Sequence, residues 1–109
     1  AMTESRTVEV ARDHPSFAGH FPGDPLWPGV LLLAEALEAI AASPGLAAAV
    51  GDAPRLAVAK FLSPVRPGTR LCIEVEAAAA GIDFRIVDAD DPARLCAEGR
   101  FARATVSRP

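Results

Sequence analysis

The sequence is poor in several residue types that mark large classes of protein. Its 109 residues include two cysteines, one methionine, one tryptophan and no tyrosine. Cys72 and Cys96 are too few for a disulfide scaffold and lack the close spacing of metal ligands, so we expect neither a disulfide framework nor a metal site. Reduced cysteines are typical of the cytoplasm, which is the compartment we expect.

Basic charge and long apolar runs are scarce as well. Eleven basic residues stand against fourteen acidic ones, for a net charge of −3, and no basic stripe suggests a nucleic acid or an anionic membrane as partner. The longest wholly apolar run covers residues 30–34, whereas a membrane-spanning helix needs about 20 residues. The chain does not open with the charged and apolar segments of an export signal. We therefore expect no membrane segment, no export and no nucleic-acid partner.

Half of the residues are apolar, which is typical of one folded domain over residues 1–109. Alanine supplies 23 of these apolar residues, so large core side chains are few. A small domain with a thin core gains stability by pairing with another copy of itself. We therefore expect a homodimer.

Periodicity predicts one long helix among several strands. Residues 29–42 carry Val30, Leu33, Leu37 and Ile40 at helical spacing and are apolar on almost every side, as in a buried central helix. A short helical turn is expected at residues 46–50. Two-residue alternation predicts strands at residues 7–11, 55–62, 69–77, 82–89 and 93–106. The alternation puts Cys72 and Cys96 on the same side as charged residues. Short links favour an antiparallel meander, and the simplest α+β arrangement is an antiparallel sheet wrapped around the one long helix.

The chemistry is expected in and just after residues 13–28, a proline-rich loop that contains both histidines. His20 precedes a bend, and nine residues later Gly29 begins the helix. The free N–H groups of a helix start can hold a developing oxyanion. His20 could act as a general base beside it. From the residues alone, the favoured interpretation is that His20 is a structural residue that hydrogen-bonds the loop backbone.

The segment HFPGDPLWPGVL (residues 20–31) closely resembles the HFPxxPxxPGVL motif of the β-hydroxyacyl-acyl-carrier-protein dehydratases of the FabA/FabZ type. The resemblance extends through FLSPVRPGTRLCIEV and ARLCAEGRFARATV. The opening DHPSFAGHFP is similar to the ApeI-like members, which are associated with aryl-polyene synthesis. The resemblance to the dehydratases implies a hot-dog fold, a substrate carried as an acyl-carrier-protein or coenzyme A thioester, and no cofactor.

By this resemblance His20 is the catalytic histidine, and Gly29 supplies the backbone N–H that polarises the thioester carbonyl. Phe21 and Pro22 are expected to shape the loop, and Val30 and Leu33 to line the acyl tunnel. Apart from the resemblance, Trp27 is expected in the pocket wall or at a dimer contact. The reaction implied is elimination of water from a 3-hydroxyacyl thioester, giving a trans-2-enoyl thioester.

The chain departs from the family's pattern at Ala34, where the family has an acidic residue fourteen positions after the histidine. Glu35 is about 100° away round the helix, so we expect it to point elsewhere. Glu38, one turn later, lies on nearly the same face and is the expected substitute. Both glutamates could instead simply face solvent on the exposed side of the helix. Without the acid, His20 alone could return its proton to the leaving hydroxyl.

Two other functions remain open for this sequence. One is a thioesterase with the same fold, although the proline-rich motif favours a dehydratase. The other is a protein without catalytic activity, an acyl-binding or partner subunit that has lost its acid at Ala34.

Overall fold

A computed structural model describes residues 3–10 and 29–104 of the chain. This part contains five strands and two helices: β1 (Thr3–Glu9), α1 (Gly29–Ala41), α2 (Pro44–Val50), β2 (Leu56–Phe61), β3 (Arg70–Ala78), β4 (Gly81–Asp88) and β5 (Asp91–Ala102). All strand pairs are antiparallel, and the order across the sheet is β1-β3-β4-β5-β2. The predicted α+β class is confirmed. Neither helix in the described residues has the length and apolar character needed to cross a membrane.

The position of β2 corrects the predicted meander. Strands β3, β4 and β5 do follow one another as hairpins, but β2 pairs with β5 at the edge of the sheet. Both sides of β3 are taken, one by β1 and the other by β4. The link between β2 and β3 also contains Pro64 and Pro67 and is longer than the two-residue turns that join most hairpins.

One face of the sheet is apolar and covered by the helices. Leu71, Ile73 and Val75 of β3 are buried, while Glu74 and Glu76 between and after them are exposed. The buried row continues across β4, where Ile86 lies opposite Ile73 and Phe84 opposite Val75. We call this side the helix-facing side of the sheet and the opposite side the polar side.

Helix α1 packs on the helix-facing side through two large and two small side chains. Its buried side chains are Leu32, Ala36, Ala39 and Ile40. Leu33 and Leu37 are partly buried and pack against this core, so Ile40 is the one fully buried member of the predicted stripe among the residues that can be compared. The two alanines allow the helix to approach the sheet closely, and close packing makes up for the shortage of large side chains.

The alternation in β5 is broken near Cys96. The register between β4 and β5 shifts between Ile86 and Val87, as at a β-bulge. Cys96 is consequently buried in the core, and its predicted place on the charged side was wrong. Cys72 remains half-buried on the polar side, where its sulfur lies 3.6 Å from the hydroxyl of Ser5. Both thiols are free.

Candidate active site at the start of helix α1

Gly29 is the predicted catalytic residue whose surroundings the structure shows best. His20, Phe21, Pro22 and Trp27 lie outside the described residues, as does the side chain of Val30. Gly29 is the first residue of α1 and is half-buried. As in every α-helix, the first N–H groups have no partner within the helix. This end of α1 can therefore donate hydrogen bonds to an oxygen that gains negative charge.

The ring of Phe61, the last residue of β2, lies against Gly29. A methyl group built on Gly29 would be 2.9 Å from Cε1 of Phe61, 3.0 Å from Cζ and 3.2 Å from Cδ1. Such distances are shorter than ordinary contacts between carbon atoms, which are about 3.5–4.0 Å. Only a residue without a side chain fits here unless the ring moves.

Strand β2 and the residue that follows it carry all of the exposed large apolar side chains found in the described residues. Leu56 is 44% exposed, Val58 46%, Phe61 52% and the following Leu62 53%. The N–H of Leu62 donates to the carbonyl of Cys96 on β5. Because backbone groups alternate in direction along an antiparallel strand, those of Ala59 and Phe61 point away from β5. The edge of the sheet beside Gly29 is thus apolar and unpaired within residues 3–10 and 29–104.

The two helix positions considered for the acid lie on the side of α1 away from the core. Ala34 is exposed, and Glu38 is exposed as well. At 1.5 Å per residue, Ala34 lies roughly 7–8 Å along the helix from Gly29, and Glu38 about 13–14 Å. The Glu38 carboxylate lies 3.9 Å from the Arg6 guanidinium on β1. Within one chain, the structure therefore does not bring Glu38 to Gly29.

Glu35 is enclosed more than Glu38. Its side chain is 24% exposed and, like Glu38, lies 3.9 Å from Arg6. One of its carboxylate oxygens, Oε2, is buried and accepts no hydrogen bond from the described residues. Arg6 thus stands between two carboxylates and ties β1 to the side of α1.

A groove on the polar side of the sheet is separate from the site at Gly29. It crosses the strands and has a volume of about 880 Å³. Its charged row alternates in sign from β3 to β2: Glu74, Arg85, Glu98, Lys60. Opposite charges on neighbouring strands stabilise a sheet, which accounts for the row without a ligand. Among the described residues, no cluster of three or more histidine, cysteine or acidic side chains is arranged to hold a metal ion.

The sequence interpretation missed Phe61 and Arg6. Phe61 was counted only as part of a strand, and its contact with Gly29 depends on β2 lying at the edge next to β5. Arg6 precedes the predicted strand at residues 7–11. The observed strand begins at Thr3, and its alternation places Arg6 with Val8 on the helix-facing side.

The family model described as ApeI-like, ApeI dehydratase, matches residues 3–100. The chain belongs to the ApeI-like dehydratase family. This confirms the resemblance on which the hot-dog fold and the site at Gly29 were expected. The match begins with β1 and ends in β5, so it includes every helix and strand described above except the last two residues of β5.

Curated relatives of this ApeI-like chain are named 3-hydroxyacyl-[acyl-carrier-protein] dehydratase FabZ. The one from Sodalis glossinidius is 40% identical over 77 residues, and the one from Vibrio cholerae 42% over 77 residues. Each match covers 62% of this chain and 48% of the relative. The chain spans about half the length of the curated relatives it matches.

Solved structures confirm the fold of this ApeI-like protein. The dehydratase heterocomplex ApeI:P from Xenorhabdus doucetiae gives a TM-score of 0.70 at 20% identity, covering 94% of this chain and 88% of the matched chain. A 1,4-dihydroxy-2-naphthoyl-CoA thioesterase from Synechocystis gives 0.62 at 24% identity, covering 99% and 85%. Dehydratases and thioesterases thus share this arrangement of sheet and helix.

Proposed function

We propose that the chain is a dehydratase of 3-hydroxyacyl thioesters. The observation that carries the proposal is the position of Gly29: the motif HFPGDPLWPGVL runs directly into α1, and Gly29 is the first residue of that helix. The motif gives a base at His20, and the helix start gives N–H donors. These are two of the groups that this elimination needs.

In the proposed reaction His20 takes the proton from C2 of the acyl chain. The electron pair forms the C2=C3 double bond as the bond between C3 and its hydroxyl oxygen breaks. The Gly29 N–H, aided by the helix dipole, holds the negative charge that gathers on the thioester oxygen. The departing hydroxide receives a proton and leaves as water.

Within the described residues, the site lacks an evident general acid to supply that last proton. Ala34 has no acidic group, and the Glu38 carboxylate lies beside Arg6. We propose that, unless Glu38 reaches the leaving hydroxyl, His20 gives that hydroxyl the proton it took from C2. Loss of a positioned acid typically costs about 10²–10⁴ in rate. The proposed enzyme is therefore slow. The same lack of an acid at Ala34 is what a non-catalytic acyl-binding protein would show, and this is the alternative function.

We further propose that two copies pair through β2, with the acyl site at their junction. The support is that the four exposed large apolar side chains lie on or beside one unpaired edge strand, and that Gly29 lies at the same edge. An apolar unpaired edge is a template for another strand. The matched structure from Xenorhabdus doucetiae is a heterocomplex, so a homologous chain is the competing partner.

The carrier and the compartment complete the proposal. The curated relatives' names specify an acyl-carrier-protein substrate, and we propose a thioester on that protein or on coenzyme A for this chain as well. The two free cysteines of the sheet favour the cytoplasm, where thiols stay reduced.

The test is incubation of the full chain with a 3-hydroxyacyl thioester while the absorbance of the conjugated enoyl thioester is followed. We expect turnover in the parent and none in His20→Ala. The melting temperature should stay nearly unchanged, because an imidazole in the predicted proline-rich loop is expected to contribute little to the core. Release of free thiol without enoyl product would instead identify a thioesterase. Binding of the substrate with neither product would identify an acyl-binding subunit.

A further inference from the structure

We propose that Phe61 sets the acyl specificity of the site by excluding thioesters that carry a branch at C2, the carbon next to the thioester carbonyl. The inference rests on the proposed function, because it takes the Gly29 N–H as the group that holds the carbonyl. It adds a residue and a substrate class: straight-chain 3-hydroxyacyl thioesters are accepted and 2-methyl ones are rejected.

The first step is the closeness of the ring to Gly29. Three carbons along one edge of the Phe61 ring lie 2.9–3.2 Å from the place where a Gly29 methyl group would be. The ring therefore occupies the space beside the first residue of α1. Its position is fixed by β2, whose register with β5 places Phe61 opposite the buried Ala97 on the helix-facing side.

The second step is the reach of a bound thioester. A carbonyl oxygen that accepts a hydrogen bond lies about 2.9 Å from the donor nitrogen. The carbonyl bond adds about 1.2 Å and the bond to C2 about 1.5 Å. C2 thus lies no more than about 5.6 Å from the Gly29 nitrogen, and the Phe61 ring borders the same residue. A methyl group on C2 has to share the space beside Gly29 with the phenyl edge.

The third step is that the ring lies at the exposed edge of a single chain, where a second copy is proposed to pair. Phe61 is 52% exposed, so it is a wall beside Gly29 rather than a core residue. A wall of this kind can discriminate by shape without supporting the fold. One methylene in an apolar pocket changes relative rates by about 10–200-fold, and a steric wall acts through the same contacts.

The chain offers a matched control in Leu62. Leu62 follows Phe61 directly, is exposed to the same degree at 53%, and continues the ladder with β5. By strand alternation its side chain lies on the polar side, away from Gly29. Truncation of either residue removes similar exposed apolar surface from the same edge, but only truncation of Phe61 opens the space beside Gly29.

The experiment compares the parent, Phe61→Ala, Phe61→Tyr and Leu62→Ala on 3-hydroxybutanoyl and 2-methyl-3-hydroxybutanoyl thioesters. We expect the parent to prefer the straight substrate in kcat/KM by at least about tenfold. Phe61→Ala should lower this preference at least about tenfold, chiefly by raising kcat/KM for the branched substrate. Phe61→Tyr, which keeps the ring, and Leu62→Ala should retain the parental preference. The mass in solution, measured by sedimentation, shows whether each variant keeps its assembly.

Binding of unreactive substrate analogues distinguishes a failure of this inference from a failure of the proposed function, because it does not require turnover. The amide isosteres of the straight and the 2-methyl enoyl thioesters are titrated calorimetrically into the same four proteins, whether or not turnover is seen. Selective gain of branched-amide binding in Phe61→Ala supports the role of Phe61 even in a chain without dehydratase activity. Equal changes in Phe61→Ala and Leu62→Ala, absence of discrimination in the parent, or absence of binding by both amides would each overturn it.

Discussion

At the residue scale, Ala34 is an exposed alanine on the outer side of α1 where the family has an acid. Ala34→Glu should restore a proton donor at that place and raise the rate of dehydration by about one to a few powers of ten, since a general acid typically contributes about 10²–10⁴. If Glu38 provides the proton in the parent, Glu38→Gln should cost activity there and much less in the Ala34→Glu background. Steady-state kinetics on the four proteins of this double-mutant cycle measure both effects.

Two results would count against that account of Ala34. Additive effects of the two substitutions would mean that Glu38 and the new glutamate do not share one task. Absence of any gain in Ala34→Glu would favour the acyl-binding protein over the slow enzyme. Because Ala34 and Glu38 are both exposed, we expect the single and double variants to stay folded.

Cys96 gives a prediction of the pH dependence of stability. Burial in the core raises the pKa of this thiol, with Arg94 lowering it and Asp88 raising it by smaller amounts. A folded-state pKa above the unfolded value means that the buried thiol contributes fully below the unfolded pKa and less as pH rises past it. The unfolded value is about 8.5. The free energy of unfolding, measured in urea, should therefore fall more steeply above this pH in the parent than in Cys96→Val, and equal slopes would contradict the prediction.

At the element scale, Gly99 shows how closely β5 is packed between its neighbours. A methyl group there would meet the Val58 backbone carbonyl on β2 and would lie 2.6 Å from Cζ of Phe84. The backbone cannot move away without loss of the ladder. Gly99→Ala should thus destabilise the protein by about 1–3 kcal/mol, as overpacking does.

The matched comparison for Gly99 is Gly45, an exposed glycine in α2. Gly45→Ala should leave the free energy of unfolding unchanged or raise it by up to about 1 kcal/mol, since alanine favours a helix. Denaturant unfolding of both variants checks the contrast. Equal losses would show that the packing around Gly99 yields more readily than the distances indicate.

Prediction from the sequence succeeded for these elements where the deciding pattern was local. The helix at residues 29–42 and the strand at 69–77 repeat with periods that only neighbouring residues determine, and both were found within a few residues of the observed bounds. The place of β2 beside β5 and the inward turn of Cys96 were missed. The first depends on which edges of β3 are already paired, and the second on a bulge in the ladder with β4.

For the candidate site, too, local sequence patterns were predicted and contacts between distant residues were not. Gly29 was predicted as a site residue because its motif is contiguous. Its neighbour Phe61 was not, since their contact joins residues about thirty positions apart through the order of the sheet. Ala36 and Ala39 were overlooked as core residues because an alanine pattern does not distinguish the buried side of a helix from the exposed one. His20 as the base, with Phe21, Pro22 and Trp27 around it, stays a prediction.

At the scale of the whole molecule, the proposed pairing through β2 can be separated from the fold itself. The N–H of Ala59 points away from β5, whereas that of Lys60 points toward it, as the register and the Leu62 hydrogen bond require. Ala59→Pro should therefore convert a dimer to a monomer and leave the sheet folded, because proline is tolerated where a strand's N–H is outside the ladder. Lys60→Pro should unfold the edge.

Sedimentation at micromolar concentration, with circular dichroism on the same samples, measures both variants of the edge. A monomeric parent would rule out the homodimer. A dimer that survives in a folded Ala59→Pro would place the contact elsewhere. Val58→Lys gives a second route to the same answer, because a charge on an edge strand opposes pairing with another edge without removing a backbone donor.

The pairing of β2 with β5 also has a consequence during synthesis of the chain. The partners in this ladder, such as Leu56 and Phe101, are about forty positions apart, and β5 is the last described strand to leave the ribosome. Until then β2 has no neighbour, and Phe61 and Leu62 are exposed with it. Distant contacts form slowly, and unpaired apolar strands are where nascent chains aggregate. The strand proposed to join two mature chains is thus also the one for which a chaperone would be needed most while the protein is being made.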